Sequence, residues 1–405
     1  MLPPLSFTNL LIVAAIAFTV PLMLGLLPGL RVPSVVVEIG VGIILGPSGL
    51  GLVQVDVPVQ MMALIGLTFA LSLAGLETDF GKLRGPLLRV AGLGFLFSLG
   101  LALLVGYGLQ AAGLAETPLF VAIILAATAL AIVVPVLKDA GQTATTFGQL
   151  MLVSGTLADV GTITLISLLF SRQASSPAMQ ISLIGGLALL ALVGALTLTR
   201  LGSWGWFSPV FVRLQDSSAQ IRARGAFVLL AVFVVLADRL GLQVTLGAYM
   251  AGAILNLVDR EQMMTHSHFR LKLEAIGFGI FIPFFFIVSG LRFDLHALTN
   301  PAALVRIPLF LAAVLFVRGV PALLYRRLID DRQAIAAGLL QATTLGFVVV
   351  ASQLGVDIGA ISSATGAALI AAALLSVLVF PSAALAVLRH DKTPAKAPEL
   401  MPEES

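Results

Sequence analysis

The sequence predicts an all-α integral membrane protein of about thirteen transmembrane helices, because its apolar residues run continuously over the ~20 positions that a helix needs to cross a bilayer. The composition agrees. Of 405 residues, 59% are hydrophobic and 11% charged, with mean hydropathy +1.07, whereas a soluble domain carries about 25% charged residues. Strand barrels would instead show short alternating segments. The third observation is that Lys and Arg gather in alternate loops, as they do in helical membrane proteins.

The expected spans are roughly 8–28, 33–49, 59–77, 88–112, 117–137, 148–171, 178–199, 221–239, 243–258, 273–290, 302–325, 333–353 and 360–388. The first six residues carry no side-chain charge. A cleaved signal peptide needs a basic start, so the first run is read as a retained helix. With the N-terminus outside, the outer loops hold only Arg172, Arg239, Arg292 and Arg306. Arg318 falls inside a span, and the rest of the 23 Lys and Arg lie in inner loops or the tail. This bias sets an N-terminus-out, C-terminus-in orientation across the plasma (inner) membrane. Net charge +3 and a pI near 9.5 therefore reflect topology, and no nucleic-acid partner is expected. The chain has no cysteine, which excludes disulfides, thiol chemistry and thiolate metal sites. No phosphate-cradling Gly-x-x-x-x-Gly-Lys-[Ser/Thr] motif is present, so nothing suggests nucleotide-driven work, and no cofactor is expected.

The chain divides in two. Thr128-Ala-Leu-Ala-Ile-Val-Val134 matches Thr343-Thr-Leu-Gly-Phe-Val-Val349, and Ala74-Gly-Leu-Glu-Thr-Asp79 matches Ser289-Gly-Leu-Arg-Phe-Asp294, at the same offset. An odd number of spans between copies inverts the second relative to the first. Residues 1–177 form the first inverted-topology repeat. Residues 178–220 form a linking span and an interfacial connector bearing Trp204 and Trp206, since Trp favours the headgroup level. Residues 221–388 form the second repeat, and 389–405 a disordered cytoplasmic tail. Inverted repeats characterise many secondary transporters, with the site at the bilayer midplane.

The stretch from Leu150 to Phe170 contains one ionisable side chain, Asp159, near its middle. A carboxylate at that depth costs at least ~2.5–3.5 kcal/mol on insertion scales and marks an ion or proton pathway. The plainer alternative is an Asp that only pins two helices. The matched segments Thr128–Ala131 and Thr343–Gly346 lie mid-span, in 117–137 and 333–353. If both helices break there, half-helix N-termini and freed carbonyls meet opposite Asp159. Pro135 would help disturb the first helix. The alternative is that the Thr hydroxyls merely bond back to the preceding turn. Thr128, Ala129, Thr343 and Thr344 are thus candidate ion- and proton-binding positions. Thr156, about one turn before Asp159, is a further candidate oxygen. Arg318 is the second charge inside a span, either a counter-charge to the Asp159 region or a side chain snorkelling to the inner face. Glu38 and Glu77 are read as interfacial and structural. His266 and His268 are too few for a metal site.

Together, VVVEIGVGIILGPSGLGL, FALSLAGLETDF, the mid-span TALA, the Asp-bearing sixth span and TLGAYMAGAIL resemble the Kef-type branch of the monovalent cation:proton antiporters. The resemblance covers nearly all of the membrane part. It implies a sodium/proton antiporter-like fold with crossed discontinuous helices, a homodimer, and elevator-like exchange of Na⁺ or K⁺ for H⁺. It also implies that Asp159 binds the cation or proton and that Arg318 occupies the core basic position. The chain departs from the pattern in two places. Ala158 stands where many relatives have an acid or amide, and Gln341-Ala-Thr-Thr344 stands where Kef-type relatives carry Gln-Gly-Gly-Glu. No nucleotide-binding regulatory domain is expected in this chain. Small-residue faces at Gly40-Val-Gly42 and Ala251-Gly252-Ala253 allow close helix approach, either at the interface of the expected dimer or within one protomer. Two other classes remain open: a sodium-coupled organic-anion carrier on a similar inverted-repeat core, and an ion channel subunit.

Overall fold

The computed structural model describes residues 7–26, 33–77, 85–143, 145–170, 182–183, 185–187, 189, 193, 220–261, 267–295 and 301–389. Over these residues the chain is all helical. The helices are α1 (Thr8–Leu26), α2 (Ser34–Leu45), α3 (Val57–Glu77), α4 (Gly85–Ala111), α5 (Pro118–Leu125), α6 (Leu130–Asp139) and α7 (Thr146–Leu169), then α8 (Ile221–Arg239), α9 (Val244–Glu261) and α10 (Ser267–Ile276). A π turn over Gly277–Phe281 joins α10 to α11 (Ile282–Leu291). There follow α12 (Pro301–Gly319), a 3₁₀ segment (Pro321–Arg327), α13 (Asp331–Gln341), α14 (Gly346–Asp357) and α15 (Ser363–Arg389). Among the described residues, eight helical stretches are long and apolar enough to cross a membrane, against the thirteen expected. The expected span 178–199 and the connector with Trp204 and Trp206 lie almost wholly outside the described residues, as does the tail beyond Arg389.

Local chemistry fixes the ends. The Thr145 side chain accepts from the Gly148 N–H at 3.1 Å to start α7, and Asp330 accepts from the Gln333 N–H at 2.7 Å to start α13. Each occupies an N-cap, satisfying a donor that the helix itself leaves free. Pro118 and Pro301 open α5 and α12, where a missing N–H costs nothing.

The helices pack as two groups. One, here the scaffold, holds α1–α3 and α8–α11; the other, the core, holds α4–α7, α12, the 3₁₀ segment and α13–α15. Inside the scaffold, glycines bring backbones together. A Cβ on Gly42 would strike the Ile287 carbonyl oxygen on α11, and one on Gly252 the Ser72 carbonyl oxygen on α3. The small-residue faces at Gly42 and Gly252 thus serve packing within the protomer. Glu38, expected at the interface, is buried at 4% exposure in α2. The reason is that α11 and α1 both pack on that short helix. The side chain of Glu77, the last residue of α3, and those of His266 and His268 lie outside the described residues.

Candidate functional site

In the core, two helices are interrupted at equivalent places. α5 stops at Leu125 and α6 begins at Leu130; α13 stops at Gln341 and α14 begins at Gly346. The residues between leave part of the helical ladder unmade, although the Ala126 and Ala342 N–H groups still donate to Ala122 and Gly338, and in an apolar interior the freed groups must find partners. They find each other. Ala129 N–H donates to the Thr343 carbonyl at 2.8 Å, and the Thr128 hydroxyl donates to the Gln341 carbonyl at 2.8 Å. On the far side, Thr344 N–H donates to the Ser376 hydroxyl of α15 at 3.1 Å, and that hydroxyl donates back to the Thr344 carbonyl at 2.9 Å. The Thr343 hydroxyl donates to the Leu339 carbonyl at 3.1 Å, so it closes the preceding half-helix.

Arg318, near the end of α12, is 1% exposed. It does not snorkel. Its Nε donates to the Thr128 hydroxyl at 3.0 Å and its Nη1 to the Ser98 hydroxyl of α4 at 3.3 Å. The guanidinium is also within electrostatic reach of Asp159. A single fork thus ties α4, the first break and the neighbourhood of the carboxylate. A second buried chain runs behind it. Gln341 Nε2 donates to the Tyr325 hydroxyl at 2.7 Å, and Tyr325 donates to the Ser154 hydroxyl on α7 at 3.1 Å. Gln341 therefore holds the break by its carbonyl and the Asp159-bearing helix by its amide.

Asp159 sits a little past the middle of α7 and faces a cavity of 1740 Å³ between scaffold and core. The core wall includes Thr128, Ala129, Leu130, Ile163, Leu345, Gly346 and Phe347; the scaffold wall includes Ala70, Leu73, Ala74, Phe285 and Phe286. Leu130 and Gly346 are the first residues of α6 and α14, so two positive helix ends border the space that holds the carboxylate. Gln142, Asp330, Arg332 and Gln333 line the same cavity. These are loop and helix-start residues at the opposite end of the core from the tip of α7, and they mark the mouth.

Of the positions singled out from the sequence, Asp159, Thr128 and Ala129 share the cavity. Thr343 and Thr344 are buried in the second break, 0% and 1% exposed, and hold it together without lining the cavity. Thr156 is buried in α7 and also stays off the cavity wall. Ser98, Tyr325, Gln341 and Ser376 were not legible as site residues. Lone Ser and Tyr positions in apolar spans carry no pattern, although Gln341 stands in the segment next to the repeat. Among the described residues no cluster of three or more His, Cys, Asp or Glu side chains could hold a metal. What Asp159 and its surroundings can do is neutralise one small cation or take one proton.

The chain is 28% identical over 411 residues to the Putative Na(+)/H(+) antiporter YjbQ of Bacillus subtilis (strain 168), which covers 96% of this chain and 64% of that protein. It is 26% identical to the Na(+)/H(+) antiporter of Enterococcus hirae over 86% of this chain and 90% of that one. Its fold is similar to the solved sodium proton antiporter MjNhaP1 of Methanocaldococcus jannaschii at pH 8, with TM-score 0.67 and 19% identity over 95% of this chain and 98% of that chain. Residues 14–390 match the family model described as "Sodium/hydrogen exchanger, transmembrane", and the chain belongs to that family.

Proposed function

We propose that this protein is a secondary antiporter that exchanges a monovalent cation, Na⁺ or K⁺, for H⁺, with Asp159 as the shared site. One observation carries the reading: Asp159 faces a cavity between two separately packed helix groups, beside two helix breaks that the core holds rigid. One carboxylate can bind a proton or a cation but not both, and that competition is what antiport requires. Because the break, Arg318 and α7 belong to one packed group, the site can move as a unit against the scaffold, and an elevator-like change of access follows. The relatives' names support sodium, and the motifs around Glu38 and Glu77 support the Kef-type branch.

The exchange is electroneutral in this reading. Ala158 precedes Asp159, so among the described residues the cavity wall holds one membrane-embedded carboxylate, and Glu38 is not on it. Arginine keeps its charge through the cycle. Loaded with H⁺ or with a monovalent cation, the site carries the same net charge in each half-cycle. The protein works as a multi-pass homodimer in the plasma (inner) membrane, N-terminus outside and C-terminus cytoplasmic, consistent with the loop charges.

The test is reconstitution into liposomes with an internal pH dye, scanning Na⁺, K⁺ and Li⁺. A saturable, cation-dependent proton flux for at least one ion supports the exchange. Conduction without stoichiometric proton movement, or no proton flux with any of the three, counts against it.

A further inference from the structure

We propose that Gln243 is a positioning residue for the change of access: it clasps scaffold to core on the side away from the cavity mouth and must let go for the carrier to turn. The inference rests on the alternating-access reading above and adds to it the contact that breaks. Gln243 immediately precedes α9, a scaffold helix, and is 8% exposed. Its side-chain Nε2 donates to the Phe170 carbonyl at 2.8 Å, and its backbone N–H donates to the Ser167 hydroxyl at 3.3 Å. Ser167 and Phe170 end α7, the core helix that carries Asp159.

The location gives the clasp its role. The α7 helix starts beside Gln142, at the mouth of the cavity, and its 24 residues span ~36 Å at 1.5 Å per residue. The clasp therefore lies about a membrane thickness from the mouth. A helix leaves its last carbonyls and first N–H groups without partners of its own. Here the end of α7 and the start of α9 satisfy each other across the boundary between groups. Apolar packing backs the junction: Phe120 of the core stacks edge-on against Phe170 with ring centroids 4.7 Å apart, and Leu242 and Leu246 flank Gln243 in the same buried cluster. Any slide of the core along the scaffold separates Gln243 from Phe170. Two hydrogen bonds of ordinary strength are lost in that slide, so the clasp biases the equilibrium toward the mouth-open state without locking it.

Because the chain has no cysteine, two site-directed experiments test this cleanly. In the first, Ser167→Cys with Gln243→Cys is reconstituted and oxidised. Cross-linked protein should lose exchange and regain it on reduction; exchange at the parent rate in the cross-linked form would overturn the proposal. In the second, Val228→Cys on α8 and Leu104→Cys on α4, both exposed, carry spin labels, and pulsed distance measurement reads the scaffold-to-core populations. Gln243→Leu should raise the second population relative to the mouth-open one by about 2- to 12-fold, the range that one net hydrogen bond supplies. Gln243→Asn should not restore the parent ratio, because its shorter side chain falls short of Phe170. An unchanged distance distribution in Gln243→Leu overturns the clasp. The second experiment needs no transported ion. If the parent exchanged nothing, the antiport reading would fail while the clasp would still be decided.

Discussion

Ala129 donates its backbone N–H to the carbonyl of Thr343 at 2.8 Å, so the two interrupted helices of the core are joined by main chain as well as by side chains. The Thr128 hydroxyl is the second joint. It accepts from Arg318 Nε and donates to the Gln341 carbonyl, using its donor and one acceptor although only 2% exposed. Thr128→Val keeps the shape and removes both bonds. The expected loss is ~1–3 kcal/mol of stability, the cost of leaving buried polar groups unpaired, together with a fall in maximal exchange rate. Thr128→Ser should stay near the parent. Thermal unfolding of the purified variants, paired with liposome flux, checks this. A Thr128→Val protein as stable and as active as the parent would show that the joint carries nothing.

Voltage separates one moving charge from two. The proposed exchange should be indifferent to an imposed potassium–valinomycin potential when sodium drives proton movement. Arg318→Lys introduces a point-charge ammonium that can lose its proton when buried and cannot make Arg318's two-pronged contact with Thr128 and Ser98. That variant should exchange more slowly and become the one whose rate responds to voltage. A voltage-dependent parent means a second group moves charge, with the buried Glu38 the first to examine.

Glycine contacts predict where the scaffold cannot be altered. A Cβ at Gly252 would meet the Ser72 backbone, and one at Gly42 the Ile287 backbone. Backbone cannot swing aside as a flexible side chain can. Gly252→Ala and Gly42→Ala should each cost ~1–3 kcal/mol as overpacking does, whereas Gly40→Ala, with open space around it, should be tolerated. Detergent melting curves for the three variants give the comparison.

At the loop before α5, burial alone would raise the carboxyl of Glu116, but hydrogen bonds from Ser362 and Thr365 outweigh it and hold the group below the usual carboxylate range. Thr365 donates to Glu116 at 3.1 Å and accepts from Arg306 at 3.0 Å, joining this loop to α12 and α15. A carboxyl lowered in the folded state stabilises above its unfolded value, and that contribution is lost as pH falls through the lowered folded value. Acid should therefore loosen this end of the core only below the ordinary carboxylate range. Glu116→Gln should remove that part of the pH dependence and leave the neutral-pH exchange rate near the parent. An acid-melting profile unchanged by the substitution would contradict it.

Much of the molecule was legible in the sequence, for physical reasons that differ by region. Apolar run length declared the helices, because a helix needs about 20 mostly apolar residues to cross a bilayer. Asp159 stood out because a charge at that depth is rare and costly. The paired Thr128 and Thr343 segments pointed to the two places where the helices stop. The covering of Glu38 was not foreseen, since position along a span does not reveal which neighbours pack on it. Thr156 lies one turn from Asp159 yet is buried off the cavity wall. The Ser98–Arg318–Thr128 and Ser154–Tyr325–Gln341 chains were invisible because each partner comes from a different helix. The π turn at Gly277–Phe281 inside an apolar run left no compositional trace either.

The central claim, that one carboxylate is both cation and proton site, is tested most directly by Asp159→Asn in proteoliposomes with an internal pH dye. The parent should show proton flux driven by a cation gradient. The variant, nearly identical in shape and unable to ionise, should show none while keeping the parent's melting behaviour and size-exclusion profile. Cation-dependent proton flux surviving in a folded Asp159→Asn protein would contradict the account.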